Sequence, residues 1–213
     1  MLFMTVKNYK MKKLLSILVF SLLLGGSAYA SDFNIFNSDK IKHTNPMSFI
    51  QSNDFDNFID NNVPNLDFYF GNARNKKKLT IKETFIQFLI PGDRMQNDDN
   101  YYVYEGCRSQ SCPEKALVWV DKKKEIMIGL ILHYKFDDLG SRDGYFLIFS
   151  KQINDPKKLP IKFIESLKQW NLEQTVYDFS SGKDKTVIPE VIRFINFNDK
   201  KVIDITGMDL LNK

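Results

Sequence analysis

"YYVYEGCRSQSCPEKALVWVDKKKEIMIGLILHYK", residues 101–135, decides the fold class. Its segments "YYVYEG", "ALVWVD" and "EIMIGLILHYK" are dense in aromatic, β-branched and aliphatic side chains. The polar connection Asp121–Lys124 separates the last two, and "GYFLIFSK" follows a second one over Asp137–Asp143. Consecutive runs of this kind, joined by short turns, predict an antiparallel meander.

Outward from the meander the period changes. "LTIKETFIQFLIPG" predicts a helix: Thr80 and Glu83 form a capping box, Ile81, Phe85, Ile86 and Leu89 fall on one stripe, and Pro91-Gly92 stops it. "LDFYFG", from Leu66, alternates like a short strand. Beyond residue 151, "LPIKFIESLKQW" reads as a helix and "EVIRFINFNDKKVIDIT" as a hairpin turning at Asn198 to Lys201. The predicted class is α+β, an antiparallel β-meander sheet with helices packed on one face.

From Met11 the chain reads "MKKLLSILVFSLLLGGSAYA". Lys12 and Lys13 form a basic front, Leu14 to Leu24 an apolar run broken by two serines, and Ala28-Tyr29-Ala30 a small-x-small cleavage site. That layout predicts a secretory signal peptide and a mature start at Ser31, with the first ten residues as an upstream extension. The run is shorter than the roughly 20 apolar residues of a spanning helix. No stable membrane anchor is expected after cleavage; an uncleaved anchor is the competing reading. No cysteine stands at the end of the apolar run, so a lipid anchor is not indicated.

Cleavage changes the charge balance. Lys7, Lys10, Lys12 and Lys13 account for four of the 30 basic residues, which leaves 26 basic against 26 acidic side chains. A net charge of zero gives no case for nucleic acid, whose binders show a basic face. "ARNKKKL", with Arg74, Lys76, Lys77 and Lys78, is the local exception and reads as a solvated turn rather than an anion site. Residues 31–63 form an N-terminal arm, loosely held over the Asn-, Ser- and Asp-rich stretch 31–53.

Cys107 and Cys112 are the only cysteines, with four residues between them. In an oxidising compartment they are expected to pair. So small a ring stabilises by only about 2 kcal/mol in the chain-entropy estimate. It is therefore read as a device that shapes a short polar protrusion, Arg108-Ser109-Gln110-Ser111, in advance of binding. A bridge that merely stiffens an edge turn, or a redox pair, are the alternatives.

These residues also carry a resemblance. "YYVYEGCRSQSCPEKALVWVDKKKEIMIGLIL" resembles the core of the inhibitor of vertebrate lysozyme family, periplasmic proteins of Gram-negative bacteria. The shared features are a strand, a C-x-x-x-x-C loop, an apolar strand with an Ala-Val-Trp-like run, a turn and another apolar strand. The resemblance covers roughly residues 64–151, and residues 152–213 would add a helix and hairpin packed on that core. It implies a periplasmic inhibitor whose disulfide-closed loop enters the active-site cleft of a c-type lysozyme or another glycan hydrolase. The partner-binding loop would be Arg108, Ser109, Gln110 and Ser111. Family loops usually carry histidine at the fourth ring position, where Gln110 stands here; Arg108 occupies the place of a common basic residue. The alternative is a periplasmic binding or immunity module that recognises another secreted protein. Self-association into a homodimer is a further option.

No catalytic machinery is expected. His43 and His133 are the only histidines, and His133, in an apolar strand, reads as a hydrogen-bonded residue rather than a ligand or base. There is no H-E-x-x-H, no G-x-S-x-G and no Gly-rich phosphate loop. Asp137, Asp138 and Asp143 lack calcium-loop spacing and read as a hairpin turn. No enzyme activity, cofactor or metal is expected.

The export reading predicts that the intact mass of the purified protein matches a chain starting at Ser31. Recovery of membrane-bound protein that retains Met11 overturns it.

Overall fold

The computed structural model describes residues 31–37, 39–68, 79–109, 111–136, 142–172, 175–178, 183–186, 191–197, 200–206 and 210. The expected signal-peptide segment, Arg74 to Lys78, Gln110, Asp137, Asp138, Asn198 and Asp199 lie outside the described residues. The chain divides into two units, residues 1–34 and 35–213. The described part of the first opens a 3-10 turn over Asp32–Phe36, where Ser31 Oγ accepts from the Phe33 amide at 3.2 Å. The rest of the fold belongs to the second.

Its strands are β1 (Asp67–Phe68), β2 (Leu79–Thr80), β3 (Gly92–Asn97), β4 (Tyr101–Arg108), β5 (Ser111–Asp121), β6 (Ile126–Phe136), β7 (Arg142–Ser150), β8 (Thr175–Asp178), β9 (Lys183–Thr186), β10 (Val191–Asn196) and β11 (Val202–Thr206). Seven of them form one sheet in the order β11-β10-β7-β6-β5-β4-β3. Strands β4 to β7 are the expected antiparallel meander, with Tyr104 opposite Val118, Leu117 opposite Leu130 and Leu130 opposite Ile148, and β3, a polar strand outside the expected runs, extends it by pairing antiparallel with β4. The pairs β1-β2 and β8-β9 stand apart as small antiparallel ribbons.

The α+β class and the meander hold, and two details differ from expectation. The final hairpin, β10-β11, is antiparallel internally but joins the sheet through a parallel pairing of β10 with β7, Phe194 opposite Ile148. Parallel neighbours need a crossover of a dozen or more residues, and the segment between them contains the helix Ile161–Leu172. Second, the helices do not share one face.

The strand composition explains why. Period-2 alternation places Leu117, Trp119, Leu130, Phe146 and Ile148 on one face and Val118, Val120, Ile131, Leu147 and Phe149 on the other, and all ten are buried. A strand apolar at both parities must be covered on both sides. Each such side chain contributes about 1.5–3 kcal/mol over exposure, so a bare face is not viable. On the first face the helix Ile161–Leu172 supplies Phe163, Leu167 and Trp170 to the core. Phe163 meets Trp119 edge-on at 5.9 Å, and Trp170 lies 5.8 Å from Phe146.

On the second face the N-terminal segment, expected as a loose arm, is folded. It forms α1 (Asp39–His43), α2 (Pro46–Ile50) and α3 (Asn53–Asn62). The polar residues that read as loop are helix caps. Asn45 Oδ1 accepts from the Met47 and Ser48 amides, and Ser52 Oγ accepts from the Phe55 amide. The capped helices turn Phe49, Phe55, Phe58 and Ile59 inward, and Phe36 and Phe49 pack on Tyr102 of β4 at 5.1 and 5.6 Å. Gln152 Nε2 donates to Asn62 Oδ1 at 2.9 Å and ties the end of α3 to the segment after β7.

Beside them lies α4 (Ile81–Leu89), opened by the expected capping box of Thr80 and Glu83. Its buried stripe is Ile81, Phe85, Phe88 and Leu89, with Ile86 only half-buried. Phe85 packs edge-on against Phe149 at 5.0 Å. The helix end presses directly on β4. A Cβ on Gly106 would collide with the Leu89 carbonyl. The buried Tyr104 hydroxyl, pushed up to about 12 chiefly by desolvation, stays protonated and donates to the Leu89 carbonyl oxygen at 3.2 Å. The helix Ile161–Leu172 is α5 in chain order.

Because backbone rather than a flexible side chain meets that Cβ, Gly106→Ala should lower unfolding free energy by about 1–3 kcal/mol. A urea midpoint equal to wild type would contradict the close approach.

Candidate functional site: the disulfide-closed hairpin tip

The β4-β5 ladder runs in regular register from Tyr101 opposite Asp121 to Cys107 opposite Lys115. It then breaks. The next pair is Arg108 opposite Ser111, so Cys112, Pro113 and Glu114 have no partners in the ladder. Unpaired residues of this kind bend a strand and re-aim a side chain. Cys107 is disulfide-bonded, and no cysteine among the described residues is free. Cys112 is the only other cysteine of the chain, so the bridge closes the irregular segment into the expected ring.

Arg108 and Ser109 are exposed at the tip. Ser111 is placed by its backbone pairing with Arg108, and Gln110 lies outside the described residues. Arg108 nonetheless reaches back to the sheet. Its Nη1 lies 2.5 Å from Glu114 Oε2, and the side chains of Arg108 and Glu114 are 48% and 6% exposed. The second carboxylate oxygen of Glu114 is 2.6 Å from Nδ1 of His133, which is itself buried. Phe88 of α4 stacks on the His133 ring at 6.2 Å. The tip is thus linked through one buried carboxylate to β6 and α4.

Glu114 was not legible as a site residue, although a signal existed. It shares the parity of Ala116, Val118 and Val120, all buried, so an acid there must turn inward or break the pattern. Burial alone raises its pKa, but hydrogen bonds from His133 and Arg108 and the charge of both outweigh it and hold the carboxyl below the usual carboxylate range. His133, expected to be hydrogen-bonded rather than a metal ligand or base, sits in that contact.

On the opposite face of the same hairpin, a cavity of about 300 Å³ is lined by Gly92, Asp93, Glu105, Gly106, Cys107 and Lys115, among others. Asp93 and Glu105 are direct cross-strand neighbours. Among the described residues, no group of three His, Cys, Asp or Glu side chains is placed to hold a metal ion, and no helix is long and apolar enough to cross a membrane. What the described part of the tip offers chemically is a polar surface with the guanidinium of Arg108 and the hydroxyl of Ser109 as donors.

No protein-family model, curated protein or solved structure matches this chain.

The depressed pKa of Glu114 fixes a sign. Its contribution to stability is present at neutral pH and is lost as pH falls through its folded-state value, below the usual carboxylate range. Glu114→Gln should cost about 1.5–3 kcal/mol near neutrality. The gap to wild type should narrow as pH falls below the ordinary carboxylate range and through the depressed folded-state value of Glu114. Urea unfolding at several pH values measures it, and a gap independent of pH contradicts the assignment.

Proposed function

We propose that the protein is a secreted inhibitor of a c-type lysozyme or a related glycan hydrolase, acting by inserting the Cys107–Cys112 ring into the enzyme's cleft. The observation that carries this reading is the hairpin tip: a disulfide-bonded segment, out of the regular ladder, with Arg108 and Ser109 exposed. A tip ordered before binding loses less conformational entropy on entering a cleft. Glycan hydrolases use a pair of carboxyl groups, and the donors of Arg108, Ser109 and Gln110 are the groups a carboxylate-lined cleft accepts. The resemblance of residues 64–151 to a lysozyme-inhibitor family supports the same reading. Gln110 supplies a neutral donor where that family has a protonatable histidine, and charge-assisted hydrogen bonds are roughly twice as strong as neutral ones.

A second reading, a binding or immunity module for another secreted protein, is favoured by the cavity beside the ring, whose rim of Asp93, Glu105 and Lys115 is charged.

The test is an inhibition constant against c-type lysozyme for wild type, Arg108→Ala and Gln110→His. Loss of a desolvated charged group costs about 2–5 kcal/mol, so Arg108→Ala should weaken inhibition at least about thirtyfold. Gln110→His should strengthen it, more at about pH 5.5 than at about pH 7.5, because imidazole gains its charge in that window. No inhibition by wild type at micromolar concentration, without rescue by Gln110→His, makes the second reading the better account.

A further inference from the structure

We propose that Glu114 is a positioning residue for the ring, a buried latch that holds Arg108 inward and thereby fixes the shape the tip presents to its partner. The affinity part of this proposal rests on the inhibitor reading; the structural part does not.

The geometry is specific. Glu114 lies two residues beyond Cys112, in the stretch that leaves the β4-β5 ladder. Both of its carboxylate oxygens are engaged, one by Arg108 from inside the ring and one by His133 from β6. Its side chain is 6% exposed and cannot reach a partner. The bridge joins the ends of the ring but leaves the Arg108 side chain its rotamer freedom. A guanidinium tied to a buried carboxylate removes that freedom, because one end of the contact is held by the packed sheet and by Phe88 over His133. Arg108, half-exposed, then meets a partner in the orientation that Glu114 fixes, beside the exposed Ser109. Two roles for Arg108 are thereby separable. If Arg108 works by touching the partner, releasing it from Glu114 leaves affinity unchanged or improves it. If it works as the ring's tether, neutralising the buried Glu114 weakens binding although Glu114 touches nothing outside its own chain.

The experiment uses the mature protein with the bridge intact, as wild type, Glu114→Gln, Arg108→Ala and Arg108→Lys. Backbone order parameters from nitrogen relaxation are measured at Arg108, Ser109 and Ser111, with Leu117 and Leu130 as core references. The latch predicts ring values near about 0.85 in wild type and below about 0.6 in Glu114→Gln and Arg108→Ala, with the core unchanged. Arg108→Lys, which keeps the charge but not the planar fork, should fall between. Ring values that do not change, or that change only as much as the core, overturn the latch. In the inhibition assay with c-type lysozyme, Glu114→Gln should weaken binding by about tenfold or more. An affinity equal to or tighter than wild type overturns it. If wild type inhibits no lysozyme, the inhibitor reading falls and the order parameters alone decide the latch.

Discussion

Strands β5, β6 and β7 carry apolar side chains at both parities, so neither face of the sheet centre can be left to water. That constraint organises the fold. Trp119, Leu130 and Ile148 require a cover on one side, which α5 provides through Phe163, Leu167 and Trp170. Val118, Ile131 and Phe149 require one on the other, provided by α4 and the N-terminal helices. The parallel return of β10 beside β7 follows from the same requirement, since the chain crosses the sheet through α5 before pairing again. Gly106 marks how closely cover and sheet approach, where helix backbone lies on strand backbone with no room for a methyl group.

The hairpin tip is where this cover ends. Apolar parity continues along β5 through Ala116, and the next residue of that parity is Glu114, buried among polar partners instead of apolar ones. A buried ion pair is weak evidence for stability, because desolvation opposes the attraction, but removal of one partner is costly. Such a contact selects a geometry more than it strengthens a fold. Its placement beside the disulfide ring ties Arg108, inside the ring, to the packed sheet.

Much of the fold was legible in the sequence. The meander followed from four apolar runs separated by short polar connections, and α4 from a capping box and a stop signal, because these features depend on residues near one another in the chain. The strand composition also held the information that both faces are buried, since "ALVWV" and "GLIL" do not alternate; the one-face expectation set that aside. Asn45 and Ser52 suit turns as well as helix caps, and only the aromatic residues of the capped helices, Phe49 against Tyr102 and Phe55 against Phe49, distinguish the two.

By itself the sequence determined the antiparallel core and the short ring closed by the only two cysteines, since strand period, turn chemistry and cysteine spacing are local properties. Only the tertiary structure decided which partners the local elements take: β10 beside β7, helices on both faces, and Arg108 turned back onto Glu114 and His133. His133 is 19 positions beyond Glu114 along the chain. Their meeting depends on the registers of β5 against β6 and of the broken ladder at the tip. Register is a property of the assembled sheet that no single strand encodes.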